Sequence, residues 1–343
     1  MGLRGYLAKR LINTVILIIF VITLNFVIFE LMPGVQGAIN NLIGRATVRD
    51  PNAVEKLLAQ YNLCSGFDAE GNCIPKSIFE RYAAYFYNMI TFQFGISFQT
   101  GNEVLHDMIS TGRLVNTVFL LGISTAVSLA IGVFLGVLVA ARRGSLFDQG
   151  WVITSLVTFS LPTFWMGLLF IALFGRILGW FPAGGITPAN WIITGPPPFF
   201  EQILVRMRYL FLPTLVLTLF FYGGNLLLTR ATMMEALSED YITTARAKGL
   251  PERTVLFKHA LKNASLPIVT NAALSFGFLL SGAIITETVF NWDGLGLWTW
   301  HAILWKDFPV MQAIFYIVAL CVIAANLISD IAYGMLDPRI KYE

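Results

Sequence analysis

Long apolar runs separated by shorter polar intervals organise this chain. A helix needs about 20 apolar residues to cross about 30 Å of membrane hydrocarbon. The runs of that length predict six transmembrane helices, at residues 11–32, 114–141, 152–178, 210–229, 268–290 and 310–333. The fold class predicted from the pattern is an all-α polytopic membrane protein.

The intervals between these helices predict the domain organisation. A large outer loop domain follows the first helix, and a polar segment of residues 231–266 separates helices four and five. The predicted parts are an N-terminus with the first helix at 1–32, the outer loop domain at 33–112, a five-helix transmembrane core at 113–334 and a C-terminal tail at 335–343.

Composition excludes a soluble protein, and the distribution of charge predicts how the chain is oriented in the membrane. Hydrophobic residues make up 56% of the chain and charged residues 13%, against about 25% charged residues in soluble domains. Thirteen of the 23 Lys and Arg residues fall in the shorter set of connections, which includes both termini and the 231–266 segment. The positive-inside rule therefore predicts that these parts are cytosolic. The net charge of +3 is scattered, which gives no support for nucleic-acid binding.

The 231–266 segment predicts a helix-turn-helix between two spans. Leu237, Tyr241, Ala245 and Gly249 recur every four residues and would form one stripe on a helix. The stripe narrows to small residues at Ala245 and Gly249, where another backbone could approach. Gly249 followed by Pro251 predicts a helix end and a new helix start. Two interpretations remain open from this pattern: a loop made basic only to set orientation, or a docking surface for a soluble partner.

Short motifs along the chain favour the docking surface. The sequence DYITTARAKGL at 240–250, followed by HALKNASLP at 259–267, resembles the cytoplasmic coupling loop of dipeptide/oligopeptide permeases of ABC importers. Asp293, Lys306 and Phe308 depart from that family's usual Pro, Arg and Tyr. The resemblance covers nearly the whole chain, is weakest in the outer loops at 34–92 and 183–208, and extends to FGIS at 94–97, AARRGSLFD at 140–148, ITETVFNWDGLG at 285–296, KDFPV at 306–310 and DPRI at 337–340.

The resemblance implies a permease subunit in a prokaryotic cell membrane. Such a subunit forms half of the path for di- or oligopeptides that an external solute-binding protein delivers. The implied partners are a second homologous permease, two ATP-binding subunits, the solute-binding protein and membrane lipid. The alternative substrates for an importer of this type are oligosaccharides or nickel. The alternative function is a stand-alone secondary transporter, which would work without ATP-binding subunits.

Motif searches predict no catalytic activity in this chain. The phosphate-binding pattern G-x-x-x-x-G-K-[ST] does not occur in the sequence, so ATP and Mg²⁺ would be bound by the partner subunits. His106, His259 and His301 are scattered and H-E-x-x-H is missing, so no metal site is predicted. The chain is therefore predicted to bind no cofactor and not to be an enzyme.

The resemblance and the polar positions within the spans define the candidate site residues. The predicted coupling interface with an ATP-binding subunit comprises Glu239, Asp240, Tyr241, Thr244, Ala245, Arg246, Ala247, Lys248, Gly249 and Leu250. Asn271 and Ser275 are predicted to face a translocation path, because polar groups within spans usually face the bundle interior or a water-filled path. Pro162 interrupts the third span and is also assigned to the translocation path, where it would act as a hinge or gate, with a static kink as the alternative.

Two further sites were predicted on the outer side. Glu287, near the outer end of the fifth span, has two interpretations: a structural partner within the chain, or a contact with the docked solute-binding protein. Cys64 and Cys73 are disulfide candidates, with two unpaired thiols as the alternative.

Inside the second span, Gly132, Gly136 and Ala140 have the spacing that lets membrane helices pack closely.

Overall fold

Helices form almost all of the computed structural model, which describes residues 3–31, 64–67, 73–277 and 284–336. Three π-helical segments adjoin helices, at Val27–Leu31, Ile171–Ile177 and Val255–Ala260. The helices in chain order are α1 (Leu3–Phe26), α2 (Ile78–Ile90), α3 (Val104–Ser110), α4 (Arg113–Ala141), α5 (Leu146–Ser160), α6 (Thr163–Phe170), α7 (Trp191–Thr194), α8 (Phe199–Leu237), α9 (Asp240–Ala247), α10 (Glu252–Thr254), α11 (Leu261–Gly277), α12 (Ile284–Val289), α13 (Leu295–Trp305) and α14 (Phe308–Leu336).

Most of the predicted spans have a counterpart among the described residues. Four helices there are long and apolar enough to cross a membrane: Lys9–Leu31, Arg113–Ala141, Phe199–Leu237 and Phe308–Leu327. They correspond to predicted spans one, two, four and six. The fifth predicted span includes residues 278–283, which lie outside the described residues, so a count of six spans remains a prediction.

The third predicted span is not one straight helix. Helices α5 and α6 meet at an angle of 97°, and only as a bent pair do they bring the count of membrane-capable segments to five. Leu161 ends α5, and Pro162 occupies the cap position before α6. Proline has no backbone N–H to donate inside a helix and suits a helix start, so the chain turns there. The interruption predicted at Pro162 is therefore present as a sharp turn, and Pro162 lies at its exposed corner.

Close packing of α4 on α8 forms the centre of the bundle. A Cβ atom on Gly136 would lie 2.6 Å from the Cβ of Thr229, and one on Gly132 would lie 2.9 Å from the carbonyl oxygen of Tyr222. Only glycine allows the two backbones to come this close, because any side chain would overlap the neighbouring helix. The predicted small-residue packing is confirmed at these two positions. Helix α14 packs on α1 and α11 beside this pair.

Part of the predicted outer loop domain packs on α1. Helix α2 begins with a capping box, in which the Ser77 N–H donates to the Glu80 carboxylate (3.0 Å) and the Glu80 N–H donates to the Ser77 hydroxyl (3.3 Å). Tyr85 and Met89 on its apolar face are buried in a cluster with Phe26 of α1. The amphipathic pattern of α2 thus fixes this described part of the domain on the first span.

One two-stranded antiparallel sheet departs from the all-α expectation. Strands β1 (Cys64–Phe67) and β2 (Cys73–Pro75) pair with Cys64 opposite Pro75 and Phe67 opposite Cys73. The side chains of both cysteines lie outside what the structure describes. The disulfide between them therefore stays a prediction.

Candidate functional site

Helix α9 lies in the predicted coupling segment and has sharply defined ends. Only Ser238 and Glu239 separate it from the end of α8. At its other end Gly249 has φ +74°, and its N–H donates to the carbonyl of Arg246 (2.9 Å) while the Leu250 N–H donates to the carbonyl of Ala245 (3.4 Å). These paired bonds form a Schellman motif, which satisfies the last carbonyls of the helix. The predicted helix stop at Gly249 is confirmed.

The apolar side of α9 is anchored in the core of the chain. Ile242 and Ala245 are buried in a cluster that also contains Val137 of α4 and Met233 of α8. Tyr241, Leu237 and Leu250 pack against the same cluster and are partly buried. The residues of the predicted stripe from Leu237 to Ala245 therefore pack against the chain's own core. The close approach predicted at Ala245 is made by the chain's own core, and with only 6% of its surface exposed Ala245 is not accessible to the predicted coupling partner.

The opposite side of α9 is polar and accessible. Arg246 donates to Glu252 of α10 at 2.7 Å, and both side chains are about half exposed. This hydrogen bond raises the pKa of the Arg246 guanidinium above its ordinary value, so the residue stays cationic. Carboxylates, hydroxyls and cations alternate on the surface, whose exposed members are Glu239, Asp240, Thr243, Thr244, Arg246, Ala247, Lys248 and Gly249. We call these eight residues the polar face of α9.

A partly buried ion pair joins α5 to α8 near the same end of the bundle. Arg230 donates to both carboxylate oxygens of Asp148, at 2.6 and 2.9 Å, and Asp148 is 3% exposed. The carboxylate also accepts from the backbone N–H of Gly144 at 2.8 Å. The motif at 140–148 was noted in the sequence. Its partner Arg230 was not, because 82 residues separate the pair.

A cavity of about 340 Å³ lies at mid-height between α4, α5, α8 and α11. Asn271 and Ser275 both line it, together with Asn225 of α8. The Asn271 side-chain amide donates to the Asn225 side-chain carbonyl at 2.9 Å, and the Ser275 hydroxyl donates to the Asn271 backbone carbonyl at 2.7 Å. The predicted polar pair therefore faces a cavity, whereas Pro162 is not among the residues that line it.

Glu287 is fully buried beside the start of α4. The Thr117 hydroxyl donates to one carboxylate oxygen at 2.8 Å, and the Leu297 N–H donates to the other at 3.0 Å. A Cβ on Gly296 would lie 2.9 Å from that second oxygen, so glycine leaves the room that the carboxylate occupies. A side chain with no exposed surface cannot touch a docked protein. The geometry therefore favours the structural interpretation of Glu287 and corrects the docking one.

Two more polar contacts join distant motifs on that side. The Ser97 hydroxyl donates to Asp307 at 2.6 Å, and the Gln99 N–H donates to the same oxygen at 3.1 Å. Arg113, at the start of α4, donates to Asp293 at 3.0 Å. Sequence reasoning had noted the motifs at 94–97 and 306–310 separately. The structure shows that they bind each other.

Helix α4 runs from the Glu287 site to the cluster under α9 and so gives the distance between them. Thr117, which binds Glu287, lies 23 residues before Ala140, which packs in the cluster under α9. At a rise of 1.5 Å per residue they are about 35 Å apart along the helix. The α9 end and the Glu287 end are therefore opposite ends of the bundle, and the cavity lies between them.

Comparison with known proteins agrees with this arrangement. Residues 132–342 match the family described as binding-protein-dependent transport system inner membrane component. The chain is 35% identical to the di/tripeptide transport system permease protein DppB of Pseudomonas aeruginosa (strain UCBPP-PA14), over 99% of each chain. It is 33% identical to the oligopeptide transport system permease protein AppB of Bacillus subtilis (strain 168), over 99% of this chain and 100% of the relative. The chain belongs to the family of inner membrane components of binding-protein-dependent transport systems.

Proposed function

We propose that this chain is the permease subunit of an ATP-driven importer and forms half of the path for di- or oligopeptides. An external solute-binding protein would deliver the peptide to the Glu287 end. The named substrates of relatives that align over the full length support peptides. The residues described around the cavity support them too, because they offer hydroxyl, amide and aromatic groups but none of the carboxylate, imidazole or thiolate ligands that nickel would need.

The polar face of α9 is the observation that carries this proposal. It lies on a short helix whose other side is buried, so it is held at the surface in a defined orientation. The proposed partner is an ATP-binding subunit with a groove that receives α9. Glu239, Asp240, Thr244, Arg246, Ala247, Lys248 and Gly249 would contact it, while Tyr241, Ala245 and Leu250 would support α9 from beneath.

The anchor of α9 suggests how nucleotide binding would move the bundle. Ile242 and Ala245 pack on α4 and α8, so a displacement of α9 is transmitted to both helices. Closure of two ATP-binding subunits around ATP and Mg²⁺ would pull α9 and exchange outward for inward access. For this change between outward and inward access, nucleotide must bind one of the two arrangements more tightly than the other. The second permease would supply the other half of the path.

The orientation follows from the charge distribution. The α9 end and both chain termini would be cytosolic, since the shorter, Lys- and Arg-rich connections lie there. The Glu287 end would then face outward in the prokaryotic cell membrane. ATP hydrolysis would take place only in the partner subunits.

Affinity purification in mild detergent tests the proposed assembly. The tagged chain should bring with it a second permease and ATP-binding subunits. In vesicles that also contain the solute-binding protein, ATP should drive uptake of labelled peptide, while oligosaccharide and nickel serve as competing substrates. A chain that purifies alone and moves solute without ATP would identify a secondary transporter instead.

Gly249 offers a sharper test of the α9 contact. A Trp at this exposed position should leave the protein inserted in the membrane and abolish ATP-driven uptake, because its bulk would block the groove. The left-handed backbone at φ +74° also strains side chains that carry a Cβ, so the control is Gly249→Ala, which has this strain but little bulk. Normal uptake by Gly249→Trp would refute the role of α9, and an equal loss in Gly249→Ala would assign the effect to the backbone.

A further inference from the structure

The side-chain amides of Asn225 and Asn271 form a bridge across the cavity wall. Among the described residues, their 2.9 Å contact is the only side chain–side chain hydrogen bond that joins α8 to α11. Asn225 is 7% exposed and Asn271 is partly buried. We call this contact the amide bridge.

The bridge lies deep within the membrane-spanning region. Asn225 is 12 residues before Leu237, where α8 ends. At 1.5 Å per residue this places it about 18 Å from the α9 end of the helix. The hydrocarbon core is about 30 Å thick, so the bridge is near the middle of the path.

The bridge also joins the two long helices that flank α9 in the chain. Helix α8 leads into α9 through Ser238 and Glu239, and α11 follows α9 through α10 and a π-helical segment. Gly132 of α4 allows the α4 backbone to pack against Asn225, since a Cβ there would lie 2.5 Å from the Asn225 Cβ. A movement of α9 that shifts α11 relative to the α4–α8 pair would therefore open the bridge.

The chemistry of the bridge matches that of a peptide bond. Each Asn side chain carries one carbonyl acceptor and two N–H donors, and one bond between them leaves donors and an acceptor free to bind another group. A peptide amide has the same donor and acceptor, so it can replace either partner. Because Asn225 is only 7% exposed, an unpaired amide there is unfavourable without solute, which keeps the bridge closed.

We propose that the amide bridge is a gate in the solute path: the two amides bind each other when the path is empty and bind the backbone amides of a peptide during its passage. This rests on the proposed importer function and adds the groups that would contact the solute. The hydroxyl of Thr125 of α4, which also lines the cavity, would bind a further uncharged group of the peptide.

The test compares uptake of a tripeptide with uptake of its depsipeptide analogue, in which an ester oxygen replaces one backbone N–H. Both are measured in vesicles that hold the complete assembly with its solute-binding protein. The same binding protein is used throughout, so its own discrimination cancels when permease variants are compared. The variants are Asn225→Leu and Asn271→Leu, and the matched control is Asn190→Leu, at an exposed position before α7 and away from the cavity.

The wild type and the control should favour the peptide over the ester. In the two bridge variants the ratio of the uptake rates should fall about threefold or more, the effect of one lost hydrogen bond. A purely structural role would lower both rates together and leave the ratio unchanged, and that result overturns the proposal. Should a Leu variant fail to assemble, Asn225→Ser and Asn271→Ser are measured in the same way, because serine stays polar but is too short to bridge.

The outcomes distinguish a failure of the proposed importer function from a failure of the amide-bridge proposal. A wild-type assembly that hydrolyses ATP and imports oligosaccharide but no peptide refutes the proposed function. An assembly that imports peptide with equal ratios in all variants refutes only the amide bridge.

Discussion

The contacts that stabilise the bundle differ between the two ends of helix α4. At the Glu287 end, buried polar groups from distant parts of the chain bind one another: Thr117 with Glu287, and Ser97 with Asp307. At the α9 end, α9 itself is fixed by small and branched apolar side chains such as Ile242 and Ala245, and its ion pair with α10, Arg246 with Glu252, is exposed. The Asp148–Arg230 pair near this end joins α5 to α8 and not α9 to the bundle.

This difference is consistent with the proposed function, in which the α9 end receives a partner. Buried hydrogen bonds between charged and neutral groups have strict geometry and are costly to break. Apolar contacts are not directional, so a helix held by them can tilt or slide more easily. The α9 end therefore combines an accessible polar surface with a non-directional attachment, which the proposed coupling role would need.

The largest expected effect comes from removing the Glu287 carboxylate. Glu287→Ala leaves the Thr117 hydroxyl and the Leu297 N–H without an acceptor, and each buried unsatisfied group costs about 1–3 kcal/mol. We expect a destabilisation of roughly 2–6 kcal/mol, measured by thermal unfolding of the purified protein in detergent. Glu239→Ala, at an exposed position of the α9 end, is the matched control and should change stability by less than about 0.5 kcal/mol. Equal losses in both would remove the distinction between the ends.

An intermediate effect is expected at the contact between the motifs at 94–97 and 306–310. Ser97→Ala removes the hydroxyl that donates to the buried Asp307 carboxylate, a bond worth about 1.5–3 kcal/mol because its acceptor is charged. Thermal unfolding should show a loss of that size. The control, Ser238→Ala, removes an exposed hydroxyl that donates to the Glu235 carbonyl, and it should be close to neutral. A stable Ser97→Ala protein would show that this contact does not hold the Glu287 end.

The smallest expected effect is at the exposed ion pair of α9. Arg246→Ala and Glu252→Ala should each lower the free energy of unfolding by less than about 1 kcal/mol, since solvent screens exposed pairs. Both should be compared at low and high salt by the same unfolding measurement. A salt-independent loss as large as that of Glu287→Ala would mean that polar contacts hold both ends alike.

Local pattern was sufficient for several features of this protein. Apolar run length located four membrane-capable helices, because the thickness of the membrane sets that length whatever the helices pack against. The stop at Gly249 was predictable because a left-handed helix end selects glycine through backbone sterics alone. Gly132 and Gly136 were recognised as packing positions by their spacing on one helix face.

The features that sequence reasoning missed depend on which distant segments meet. The repeat that includes Tyr241 and Ala245 is the same whether it faces a partner or the chain's own core, and only the packing of α9 on α4 and α8 decided between them. Pro162 indicated an interruption, but the 97° turn depends on the surroundings of α5 and α6.

The sequence by itself determined the membrane class, most of the spans and the position of α9, because these follow from hydrophobicity and backbone sterics within a short window. The tertiary structure decided the partners of Glu287, Asp307 and Asn271, since a hydrogen bond forms only between groups that the fold brings to about 3 Å. Asn225 and Asn271 are 46 residues apart, and nothing local in either segment identifies the other.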